Sequence, residues 1–244
     1  MYRFRICAVM LTLLLALPTS AFSGDKLVLA AGAGYKKMVN ALNAAYEKKT
    51  GRSMDLIYGN MGRVTTLAKE SGKVDIVLGD RQFLIVRAAL PVTDETELGR
   101  GKLVLAFAKG SEFSKESDLD NPKAGRIALP DTSKAIYGKA AREYLLTTGR
   151  LPDIKPRLVE VATVPQVFSY LATNEVDMGF INLTHALNVQ DKLGGYMVID
   201  EKNYSPISII AAVLESSANK EQARAFLDFV KTAEAQAIVR ANGL

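Results

Sequence analysis

Apolar residues gather in short dense runs, separated by segments in which they recur every three or four positions. Three early runs share one design. Residues 26–31 (KLVLAA), 54–59 (MDLIYG) and 74–80 (VDIVLGD) are rich in aliphatics, and a glycine follows or closes each one, as in buried strands. Between them, Met38, Val39, Leu42, Ala45 and Tyr46 form one helical face ended by Gly51, and Val64, Leu67 and Ala68 form a second ended by Gly72. Strand and helix in alternation predict a parallel α/β sheet.

The pattern then repeats. A strand at residues 102–110 (KLVLAFAKG) follows a stretch around 91–100 that reads as polar and irregular. After it come the strand RIALPD, a helix over 138–148, the strand RLVEVA, a helix over 166–173 and the strand DMGFINL. Residues 207–215 (ISIIAAVLE) read as a returning strand, and two helices close the chain, with Ala223, Phe226, Leu227 and Val230 at helical spacing. The order predicts an α/β protein of two lobes, 24–103 with 210–244 and 104–209, joined by two crossings near 103–108 and 205–212. Ligands of such folds sit in the cleft between lobes.

Residues 1–23 read as a secretory signal peptide: Arg3 and Arg5, an apolar run over 6–17, then small residues ending near Ala21 or Ser23. The run is short for a membrane span, so the expected product is exported, soluble and periplasmic. Without those two arginines, 29 Lys and Arg stand against 26 Asp and Glu, a formal charge near +3. The basic residues are scattered and there is no Trp, which gives nucleic-acid binding no footing. The single cysteine, Cys7, lies in the leader, and the single histidine is His185. Thiol chemistry, disulfides and clustered metal ligands therefore lack parts, as does a catalytic triad unless His185 itself serves.

Chemistry is instead suggested at the strand-to-helix loops. Such a mouth presents unpaired N–H groups and the positive end of the helix dipole, and glycine lets the backbone approach an anion closely. Four mouths qualify: 32–35 (GAGY) and 59–62 (GNMG, including Gly62) in the first lobe, and 130–133 (PDTS) leading to Tyr137, and 162–165 (ATVP), in the second. Lys36, Lys37 and Arg63 sit in first helical turns, where a cation either faces solvent or helps hold an anion. Asp75, Asp80 and Asp131 stand at strand ends, where capping explains them. Met61 in a glycine turn either packs beneath the loop or lines the cleft.

The segments NAAYEKKTG, VDIVLGD, PRLVEVATV, DMGFINLTHAL and NKEQARAFLDFVKTAEAQAIVRANGL resemble, in order, those of the periplasmic molybdate-binding proteins of ABC importers. The resemblance covers nearly the whole chain after the leader. It implies a type II periplasmic binding-protein fold, a monomer without cofactor or catalytic metal, a permease partner in the inner membrane, and molybdate or tungstate held as an oxyanion. Carried over position by position, the family's contacts fall on Gly34 with Ala33 and Tyr35 beside it, on Met61 next to Asn60, on the backbone N–H groups of Tyr137 and Val164, and on Asn182. Gly34 and Met61 stand where the family has hydroxyl or amide groups. That departure keeps open a different anion, a small organic solute, or a sensory or scavenging module; a periplasmic enzyme, such as a hydrolase using His185 or a cleft carboxylate, is the remaining alternative.

Overall fold

The computed structural model describes residues 26–244, and the leader read at 1–23 lies outside the described residues. In the first half, β1 (Val28–Gly32), α1 (Lys36–Thr50), β2 (Asp55–Gly59), α2 (Met61–Glu70) and β3 (Ile76–Asp80) alternate as the periodicity predicts. A short 3-10 turn, Ala33–Tyr35, links β1 to α1, and a π-helical turn, Gln82–Arg87, follows β3.

Next come β4 (Val92–Gly101), β5 (Leu103–Phe107), β6 (Ile127–Pro130), α3 (Ile136–Thr147), the single turn α4 (Leu151–Ile154), β7 (Leu158–Val161), α5 (Val164–Ala172), β8 (Met178–Asn182), α6 (Leu183–Val189) and β9 (Gly195–Val198). The chain ends with β10 (Ile207–Leu214), α7 (Lys220–Val230) and α8 (Ala233–Ala241). The strands form two five-stranded sheets, β2-β1-β3-β10-β4 and β7-β6-β8-β5-β9. In each, four strands run in the same direction and one, β10 in the first sheet and β5 in the second, runs against them. The polypeptide changes sheet at Lys102 and again between Val198 and Ile207.

One expectation fails. The stretch read as irregular is the ten-residue edge strand β4, paired with β10 along most of its length. Its side chains alternate between half-buried and exposed up to Thr96, so the strand needs few apolar residues and its composition hides it. The central strands are different: β3, β5 and β8 are buried at every position, which accounts for their unbroken apolar runs.

Both lobes carry well-packed cores. In the first, the Tyr46 ring meets Phe226 edge-on at 5.3 Å and Phe229 at 5.4 Å, joining α1 to α7. Asp75, 4% exposed, ties the same lobe together through its carboxylate. That group accepts from Val28 N (2.9 Å), Ser217 Oγ (2.6 Å) and Asn219 Nδ2 (3.3 Å), fastening the start of β1 to the turn after β10. The role expected of a strand-end carboxylate is thus structural. Asp75→Ala would strand three donors and is expected to cost about 3 kcal/mol, measured as a lower urea midpoint with an unchanged m-value.

Candidate functional site

Because β1, β2 and β3 run parallel, as do β6, β7 and β8, the following helices begin at the same edge of each sheet. Those edges face each other across the lobes. Four loops line one cavity there: Gly32 to Tyr35 after β1, Gly59 to Met61 after β2, Ala135 to Tyr137 at the start of α3, and Thr163 with Val164 at the start of α5. Of the residues picked out from sequence, Ala33, Gly34, Tyr35, Asn60, Met61, Tyr137 and Val164 line it.

Two others do not. Gly62 lies just outside, its N–H donating to Lys134 O across the lobes (3.1 Å). Asn182 lies behind Gly34 and donates from Nδ2 to Gly34 O (3.3 Å). The loop 130–133 contributes through its continuation rather than itself. Asp131 Oδ1 caps Ser133 N and Lys134 N, and Thr132 N is held by Glu160, which leaves Ala135 and Ile136, unrecognised in the sequence, on the wall.

The donors are backbone groups. Helix first turns leave N–H groups without intrahelical acceptors. In α2, Gly62 N is taken by Lys134 and Arg63 N by the Asn60 cap (2.9 Å), so Met61 N remains. In α5, Gln166 N returns to Thr163 O and Pro165 has no N–H, so Val164 N remains. Tyr137 N, in the first turn of α3, has no acceptor among the described residues.

No charged side chain lines the cavity among the described residues. Lys36 Nζ lies over the Tyr58 ring at 5.7 Å, Lys37 is exposed, and the Arg63 stem packs beside Gly59. The space open to the centre of a water-sized sphere is about 30 Å³. Adding a water radius of about 1.4 Å makes this a hollow roughly 3 Å in radius, the scale of a small tetrahedral ion.

The two oddities of the loops resolve here. Met61 is 1% exposed and turns beneath its loop, its thioether filling the groove left by Gly79, where a Cβ would stand 2.7 Å from Sδ. Tyr35 turns its hydroxyl toward the crossings. It bonds the Tyr137 hydroxyl from the other lobe, and the pair rests against Gly101 at the end of β4, where a Cβ would clash with the Tyr137 hydroxyl. Burial, with the field of nearby Asp80, pushes both phenols well above their ordinary range. Burial also raises Asp80, partly offset by N–H donors from Ser208, Phe83 and Gln82. Gly101 carried no sequence signal beyond being a glycine before an apolar run.

The lobes are closed on each other. Besides the tyrosine pair, Asn60 Nδ2 donates to Ala162 O (3.2 Å) and Arg87 Nη1 to Ser133 O (2.5 Å). His185 is apart from the cavity: its ring meets Phe168 edge-on at 5.5 Å and its Nε2 has no partner among the described residues. No nucleophile is paired with it among the described residues.

Two mixed sheets with a closed cleft between them define a two-lobed α/β binding protein of the periplasmic type. The chain belongs to the bacterial extracellular solute-binding protein family, whose model matches residues 27–244. It is thus a non-enzymatic solute-binding protein. It is similar to the molybdate-binding protein ModA of Rhodobacter capsulatus, 27% identical over 241 residues covering 97% of this chain and 93% of that protein. Among solved structures, the periplasmic molybdate-binding protein of Azotobacter vinelandii matches with TM-score 0.81 at 23% identity, over 89% of this chain and 98% of that one. The sulfate-binding protein SubI of Mycobacterium tuberculosis H37Rv matches with TM-score 0.71 at 16% identity, over 89% and 85%.

Two outcomes follow from the geometry. Tyr137→Phe leaves the buried Tyr35 hydroxyl without its partner and is expected to cost about 1–2 kcal/mol, with a larger radius of gyration for the ligand-free protein in small-angle scattering. His185 is held neutral by burial, its pKa lowered from 6.5 to about 4. The unfolded chain therefore takes up that proton first. The His185 contribution to stability is present above pH 6.5 and lost as pH falls toward about 4, by roughly 3 kcal/mol in full. His185→Leu should flatten that part of the stability–pH curve, read by urea titration at several pH values.

Proposed function

We propose that this protein captures a small tetrahedral oxyanion in the interlobe cavity, in the periplasm, and delivers it to an inner-membrane ABC permease. The observation that carries the reading is the convergence of unpaired N–H groups from α2, α3 and α5 on a hollow of ionic size with no charged side chain in its wall. Neutral donors at helix mouths stabilise an anion without the desolvation of a partner cation. Molybdate and tungstate are the members that the relatives' names point to. Gly34 and Met61 supply no hydroxyl, so Tyr35, Asn60, Tyr137 and Thr163 are the polar residues on the wall of the proposed site, with Asn182 behind Gly34.

A different anion or an organic solute is the second reading, prompted by Met61 and Tyr35. The inward packing of Met61 and the occupied hydroxyl of Tyr35 count against an enlarged apolar cavity. Titration calorimetry of protein unfolded, stripped and refolded, against molybdate, tungstate, sulfate and phosphate at one salt concentration, tests the reading. Micromolar or tighter binding of at least one is expected. No heat with any of the four, from protein shown to be folded, would overturn the oxyanion reading and leave the fold intact.

A further inference from the structure

A second, larger cavity lies between the lobes, beside the returning crossing. The space open to the centre of a water-sized sphere is about 240 Å³, against about 30 Å³ in the hollow at the helix mouths. The first lobe supplies Asp80, at the end of β3, and Phe83 of the π-helical turn that follows it; the second supplies Lys139, Ala140 and Glu143 from α3. Ile136 stands in the wall of both cavities, so the two are neighbours with separate linings.

The charges in this wall do not balance. Lys139 Nζ meets Glu143 Oε1 at 2.6 Å, and Glu143 also accepts from Ser205 N (2.9 Å) and Ser205 Oγ (3.2 Å). Those two charges cancel. Asp80 is 4% exposed and forms no ion pair among the described residues. Its Oδ1 accepts from Ser208 N (3.1 Å), which holds the group in place and brings no charge, and Lys139 acts on it only through its field. Burial outweighs these influences and pushes the carboxyl up, the response of a carboxylate that lacks a counter-ion. The rest of the lining includes apolar surface from Phe83, Ala140 and Ile207.

We propose that this cavity is a binding site for a small organic cation, a primary ammonium on a short alkyl chain, with Asp80 as its counter-ion. The ammonium supplies the charge that the wall lacks and donates to the Asp80 carboxylate, and the chain covers Phe83, Ala140 and Ile207. A bare metal ion fits less well, because it needs several ligating side chains and no cluster of three or more such groups exists among the described residues. Since both lobes line the cavity, its occupant favours their closed arrangement. The site is independent of the oxyanion reading and holds whichever solute occupies the neighbouring hollow.

The probe is n-butylammonium chloride, titrated calorimetrically into the full mature protein near neutral pH against a sodium chloride blank of equal chloride. Saturable binding is expected with a dissociation constant of about 10 mM or tighter. 1-Butanol, of similar shape without the charge, should bind at least about tenfold more weakly, the effect of one hydrogen bond to a charged group. Asp80→Asn keeps an acceptor for Ser208 N but removes the charge, and should weaken the ammonium by a similar factor. Ala140→Leu keeps Asp80 and fills the space, and should abolish binding; with 1-butanol it tests the idea even if Asp80→Asn fails to fold, as judged by circular dichroism. No saturable heat from the wild type up to about 100 mM, or equal binding of 1-butanol, would overturn the inference. So would undiminished ammonium binding by either variant in folded form.

Discussion

Parallel strand pairing constrains everything that matters here. A parallel strand must be reached by a crossover, and the crossover returns each helix start to the same sheet edge. Two sheets built this way, with exposed helix mouths turned toward each other, concentrate unpaired N–H groups in one small volume. The anion-binding character proposed for the cleft is thus a property of topology before it is a property of side chains. It explains how a chain with glycine and methionine in its first-lobe loops keeps a donor-lined hollow.

Side-chain identity acts through space as much as through chemistry. Three glycines each make room for a neighbour brought in by the fold. Gly79 receives the Met61 thioether, Gly101 receives the Tyr35 and Tyr137 hydroxyls, and Gly34 receives the Asn182 amide. The first lets the Met61 thioether pack beneath its loop, the second fastens the lobes beside both crossings, and the third lets the second lobe bond the first-lobe backbone. The cations near the mouths are directed elsewhere, onto the Tyr58 ring and the Gly59 backbone. The net positive charge of the chain therefore does not express itself as a charged binding wall.

Closure draws on polar contacts between lobes as well as on apolar packing, where Gly243 of the first lobe lies against Leu183 and Leu187 of the second. The bonds from Gly62 to Lys134, Asn60 to Ala162, Arg87 to Ser133 and Asn182 to Gly34 are each individually modest. The buried tyrosine pair is the exception, since opening would uncover two hydroxyls that now satisfy each other.

The sequence by itself determined the alternation of strands and helices, the two-lobed α/β class and three of the four loops that line the cavity. Each of these depends on local periodicity or on a glycine at a strand end, and such signals stay close to their cause along the chain. It missed β4, because an edge strand with one open face has no continuous apolar run. It displaced the fourth lining loop to 130–133, because a cap formed by Asp131 carries the chain onward to Ala135 before it turns inward. Only the tertiary structure decided that Met61 turns under its loop, that Gly62 spends its N–H on Lys134, and that Asn182 leans over a residue 148 positions away. Those outcomes depend on which backbone arrives opposite which gap, and a residue's own neighbours in sequence hold no record of that.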